Sequence, residues 1–146
     1  MPALIIYEDN FSVAFLDIKP RSKGMTLVVP KKHYKEINEE IDSSINCFKA
    51  SLIVSEKIKK ALNPKFIALS ILPSEIEHFH IRLYPVFEQI PLFEGNPIPM
   101  DKKELEEIAK IIKNVKLIEE EKEEKVEEKK RSEEEVEWIR RYLLRA

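Results

Sequence analysis

Residues 76–85 read I-E-H-F-H-I-R-L-Y-P, and this stretch constrains the chain more than any other. Polar and apolar side chains alternate along it with the two-residue period of a β-strand, whose successive side chains point to opposite faces. The spacing puts His78, His80, Arg82 and Tyr84 on one face and Phe79, Ile81 and Leu83 on the other. One face suits a core; the other carries two of the chain's three histidines and a permanent cation. Side chains two apart on a strand stand roughly 7 Å from each other, so the imidazoles and the guanidinium span a groove as long as a short polyphosphate. Neutral imidazole is a nucleophile toward phosphorus or carbonyl carbon, and arginine forks onto phosphate oxygens.

The rest of the chain limits what that face can serve. At 146 residues and 43% hydrophobic content, one domain with a real core plus an appendage is expected. A single cysteine, Cys47, excludes an intrachain disulfide and a zinc ribbon, and its place near the apolar side of a helix reads as a buried small hydrophobe. No basic leader precedes a long apolar run and no apolar stretch approaches the ~20 residues of a membrane span, so a cytoplasmic protein is expected. A formal charge of -2 gives no reason to expect nucleic acid as partner. Charged residues make up 36%, mostly Lys and Glu, a bias that suits a thermophile's surface.

Taken in order, residues 3–8 and 11–17 read as two strands joined by a hairpin at Asp9-Asn10, and 25–29 as a third strand ended by Pro30. Residues 36–62 read as the main helix, with Ile37, Ile41, Ile45, Phe48, Leu52, Ile58 and Leu62 as its apolar stripe, Asp42, Ser43 or Ser44 as a cap within it, and Asn63-Pro64 as its end. Residues 66–72 form a strand apolar on both faces, and 78–84 the histidine strand. A proline-rich stretch, 87–100, is expected to pack over the sheet edge or a partner subunit. Beyond it Asp101 and Glu104 form a capping-box pattern ahead of an amphipathic helix. Residues 119–131 are almost wholly charged, and 132–146 read as a further helix that needs a surface to cover.

Three collinear segments resemble the histidine triad (HIT) family. They are Phe15-Leu16-Asp17 with Pro20, the run from Gly24 through Pro30-Lys31-Lys32-His33, and His78-Phe79-His80-Ile81-Arg82-Leu83. The resemblance implies an α+β fold: an antiparallel sheet of about five strands with one main helix across it, in residues 1–100; the charged helical extension read over 101–146 lies outside the resemblance. It also implies a homodimer and a purine nucleotide as ligand, with no cofactor and no metal. His80 is implied as the nucleophile on an α-phosphate and His78 as the residue orienting it. Asp17 is implied to accept the ribose hydroxyls and Ile18 to pack on the base. His33 matches a family histidine that is mainly structural. Three positions depart from the family pattern: Met25 replaces a histidine, Pro73-Ser74 replaces a Gly-Gln pair, and Arg82 replaces the third histidine. Ser74 keeps a hydroxyl for phosphate, Ser70 stands near the usual asparagine, and Arg82 can hold phosphate charge but cannot release a proton at neutral pH.

The expected activity is hydrolysis or transfer at the α-phosphate of a purine nucleotide derivative, of dinucleoside polyphosphate type, through a nucleotidyl-histidine intermediate. The alternative is a catalytically degenerate relative that binds nucleotide as a sensor or interaction module, using the charged C-terminal helices against its own or a partner subunit. A third reading, a metal on His78 and His80, needs a carboxylate from Glu75 or Glu77.

Overall fold

The computed structural model describes residues 3–72, 77–88 and 97–117. Five strands, β1 (Ile5–Glu8), β2 (Ser12–Leu16), β3 (Thr26–Pro30), β4 (Phe66–Ser70) and β5 (Ile81–Val86), form one antiparallel sheet in the order β1-β2-β3-β5-β4. Helix α1 (Ile41–Leu62) crosses between β3 and β4, and α2 (Lys102–Lys113) follows β5. This is the α+β architecture expected.

The connections follow from local chemistry. At the first hairpin the Asp9 carboxylate accepts from the amides of Phe11 and Ser12 at 2.7 and 2.8 Å, an Asx turn that fixes the β1–β2 bend. Between β2 and β3 the chain turns at Gly24, whose φ of 85° lies in the left-handed region that glycine enters freely. Helix α1 ends on Asn63 in the same region, its amide donating to the Lys59 carbonyl, and Pro64 prevents continuation.

Alternation along the strands sends Ile6, Ala14, Leu16, Val28, Ile81 and Leu83 to one face, where they meet Cys47, Ala50, Val54 and Ile58 of α1 and Ile108, Ala109 and Ile112 of α2. Helix α2 is thus part of the sheet's core, and the compact unit runs to Lys116, past the boundary at residue 100 expected from the sequence. Asp101 caps α2 through a 2.8 Å bond from the Glu104 amide. Lys57 reaches from α1 to the Val115 carbonyl, 3.1 Å away, with its ammonium over the Tyr7 ring.

Three expectations need correction. The main helix begins at Ile41, not at residue 36, because Ser44 donates its hydroxyl to the Ile37 carbonyl and holds the preceding residues in a turn; none of Asp42, Ser43 and Ser44 acts as cap, and the N-cap position falls to Glu40. The buried face of α1 is made mostly of small residues, Ser44, Cys47, Ala50, Ser51 and Val54, joined by Lys57 and Ile58. Ile41, Ile45 and Leu52, assigned to the core stripe from their spacing, are exposed, Leu52 by 70%. Small residues let a helix lie close on a sheet, which leaves the long side chains facing out. The histidine strand pairs only from Ile81 onward and continues through Pro85 to Val86. Proline is tolerated there because the β3 ladder stops at Leu83, so no partner on that side asks for the missing N–H. The expectations for residues 119–146 fall outside the described residues, as does most of the 87–100 stretch.

Candidate functional site

The segment carrying His78 and His80 lies just ahead of the first rung of β5 and is held from outside the sheet. The Phe79 amide donates to the Tyr34 carbonyl at 2.7 Å, and the two rings stack with centroids 5.4 Å apart. Ser44 spends its one proton on Ile37, so the Tyr34 hydroxyl donates to Ser44 Oγ at 2.8 Å. A chain of contacts from the start of α1 through Tyr34 therefore fixes where the histidines sit.

His80 is buried, 4% exposed, and its Nδ1 lies 2.9 Å from the His78 carbonyl oxygen. A carbonyl oxygen can only accept, so Nδ1 carries the proton and the neutral ring keeps its lone pair on Nε2. His78 makes the same kind of bond, Nδ1 to the Phe79 carbonyl at 2.8 Å. Both imidazoles border a cleft of about 510 Å³ at the N-terminal end of β5. Ile37, Ile71, Leu72 and Phe79 give it an apolar wall, and Lys35, Glu36, Asn38 and Glu77 a polar rim. Apart from Glu77, weighed as a metal carboxylate, none of these wall and rim residues is singled out by the sequence, because nothing in the local pattern brings 35–38 to the histidines; the Phe79–Tyr34 pairing does so, across 45 residues of chain.

Arg82 lies on the face turned away from the helices, between Leu27 of β3 and Ser70 of β4. Its Nε is buried with no hydrogen-bond partner among the described residues. Ser70 donates to the Tyr84 hydroxyl at 3.1 Å. The registers put Phe15, Leu27, Arg82 and Ser70 in one row across the sheet. Asp17, whose amide donates to the Met25 carbonyl, stands one row further along the same face. Its Oδ1 accepts from the Lys19 amide at 2.9 Å, a turn contact, and Ile18 beside it is 47% exposed. Met25 is buried. The structure thus joins His78 and His80 in one cleft and Arg82 and Ser70 in one row, and sets Asp17 and Ile18 two strands away, toward the opposite end of β5. Ser74 and Pro73 lie outside the described residues. Among the described residues no three His, Cys, Asp or Glu side chains come together as a metal set, and Glu77 lies 3.9 Å from Lys35. No helix among them is long and apolar enough to cross a membrane.

A five-stranded antiparallel sheet with a helix across it, and His-x-His leading into its fifth strand, is the arrangement expected of the histidine triad class. The HIT domain model matches residues 1–132, and the chain belongs to that family. It is 31% identical to a HIT-like protein of Methanocaldococcus jannaschii over 80% of this chain and 91% of that one. It is 33% identical to an adenosine 5'-monophosphoramidase of Schizosaccharomyces pombe, over 77% and 91% of the two chains. An adenylylsulfatase of Arabidopsis thaliana is 29% identical over 74% of this chain and 58% of its own. Among solved structures, a HIT-like protein of Bartonella henselae superposes with a TM-score of 0.68 at 29% identity, covering 77% of this chain and 86% of that one.

Proposed function

We propose that the protein hydrolyses or transfers the nucleotidyl group of a purine nucleotide derivative, with His80 as nucleophile. The observation that carries this is the His80 ring itself: buried, its Nδ1 proton committed to the His78 carbonyl, its Nε2 lone pair left for attack. Nε2 forms a bond to the α-phosphorus while the bond from phosphorus to the leaving group breaks. Water or phosphate then attacks the phosphorus, the P–N bond breaks, and the imidazole is restored with release of the monophosphate or its phosphorylated product. No cofactor enters either step. Arg82, two residues on, offers a fixed charge to the phosphate oxygens; Asp17 and Ile18 take ribose and base, and Ser70, beside Arg82 in the same row, offers a hydroxyl, as Ser74 does in the sequence pattern. The cleft at the other end of the histidine pair leaves room for the departing group.

Arginine cannot protonate that group, and the loss of a general acid costs roughly 10²- to 10⁴-fold. The cost falls hardest on amine leaving groups. Of the two chemistries named in the relatives above, a sulfate that departs as an anion suits this site better than an amine, and polyphosphates suit it for the same reason. Binding without turnover is the second reading, favoured by Arg82 and the buried Met25. Pairing of two copies is supported by the apolar residues that α1 and the edge strand β4 leave exposed: Ile41, Ile45, Leu52, Phe66 and Leu69.

Chromatography of AMP released from diadenosine polyphosphates, adenylyl sulfate and adenosine phosphoramidate, run with the wild type and His80→Ala, tests the proposal. Release from the anionic leaving groups that disappears in the variant is expected. A protein that binds AMP and turns over none of the panel is a binding module.

A further inference from the structure

His33, matched in the sequence to a family histidine that is mainly structural, has no part in the chemistry described so far. It is exposed and does not line the cleft, yet its ring meets His78 edge to face, with centroids 4.9 Å apart and planes at 80°. His78 is also the residue whose carbonyl fixes the His80 proton on Nδ1. We infer that His33 is a positioning residue: by buttressing His78 it holds the carbonyl that keeps His80 in one tautomer. The inference rests on the reading of His80 as nucleophile for its catalytic consequence, although not for its structural one.

The need for a buttress comes from the backbone. Rungs between β3 and β5 run from Leu83 to Ile81 and stop, so 78–80 have no ladder of their own. Among the described residues one backbone bond, Phe79 N–H to the Tyr34 carbonyl, ties the segment down. Phe79 is further secured by stacking on Tyr34, but His78 points the other way, and Tyr34 reaches its ring only at 6.4 Å in a tilted contact. Its closer ring contact is His33. A His78 free to change rotamer gives up its bond to the Phe79 carbonyl and lets the peptide between His78 and Phe79 rock, and that peptide supplies the acceptor for His80. A ring that loses its acceptor can move its proton to Nε2, and a ring protonated there has no lone pair facing the cleft.

The chain has three histidines, so a long-range proton–nitrogen spectrum of histidine-labelled full-length protein resolves them all. In the wild type His80 should give one bare nitrogen, Nε2, and one protonated nitrogen, Nδ1. In His33→Ala those two signals should move toward each other, as both tautomers become populated, with the melting temperature little changed because His33 is exposed. His33→Phe, which keeps a ring edge against His78, should restore the wild-type pattern. For AMP release, His33→Ala should lower kcat about tenfold at unchanged KM, the signature of a misplaced reacting atom. A His80 pattern identical in wild type and His33→Ala overturns the inference whatever the activity. If the wild type releases no nucleotide, the proposed chemistry fails, and the spectrum still decides this point.

Discussion

Replacing Arg82 by methionine separates the two jobs a guanidinium can do in this sheet. Its Nε is buried without a partner among the described residues, while the residue as a whole is half-buried between Leu27 and Ser70. A buried donor left unpaired costs about 1 to 3 kcal/mol, and partial exposure puts Arg82 at the low end. Methionine keeps an unbranched stem of similar reach and carries no donor. The ligand-free protein should therefore gain about 1 kcal/mol, roughly 3 °C in Tm for a chain of this length. Ligand binding should move the other way. Charge-assisted hydrogen bonds to phosphate contribute about 1.5 to 3 kcal/mol, so AMP should bind Arg82→Met roughly 10- to 150-fold more weakly. Thermal melts and calorimetric titration with AMP give both numbers from one preparation. A lower Tm with unchanged AMP affinity would show that the guanidinium holds the fold, and the anion-binding role would be lost with it.

Three other outcomes are expected. Burial pushes the Cys47 thiol from 9.0 up to about 12, so a thiol reagent at pH 8 should label it only after denaturation. The native state then holds a proton that the unfolded chain has lost between those values. Stability due to Cys47 is full below pH 9 and falls as pH rises toward 12, by about 4 kcal/mol at most, and Cys47→Ala should lack that part of the alkaline loss. Gly24→Ala should cost about 1 to 2 kcal/mol for its positive φ, since the new Cβ also meets Leu62 Cδ1, the movable end of a side chain, and a chemical melt with an unchanged midpoint would refute this. The proposed pairing of two copies through α1 predicts a dimer mass for the wild type and a monomer mass for Leu52→Lys, at an exposed apolar site, by light scattering; equal masses for the two refute pairing through this face.

The sheet was legible because its signals are local: alternation in β2 and β5, the Asp9 turn, and Asn63-Pro64 closing α1. The burial of α1 was not. Helical spacing ranks residues by hydrophobicity, and by that measure Ile41, Ile45 and Leu52 outrank Ser44, Ala50 and Ser51. What decides the buried face is how near the helix must come to the sheet, and closeness favours the small residues. In the candidate site, the two imidazoles that the His-x-His pattern singles out border one cleft, while Arg82 stands in the row with Leu27 and Ser70. The contacts that hold the imidazoles, Tyr34 under Phe79 and His33 against His78, join segments far apart in sequence and leave no local trace. The Arg82 side chain was legible as a charge, but its unpartnered Nε is a fact about neighbours and emerged only from the fold.

The halt of the β3–β5 ladder at Ile81 sets two grades of permanence in one strand. Amides of 82 and 83, hemmed by strands on both sides, exchange with solvent only when the whole sheet comes apart. The Phe79 amide, on its single tether to Tyr34, is free to open by a small local excursion. Warming or mild denaturant should therefore silence the histidines while the spectroscopic signature of the sheet is still whole. Proteins of this design fail first at the work and only later at the shape.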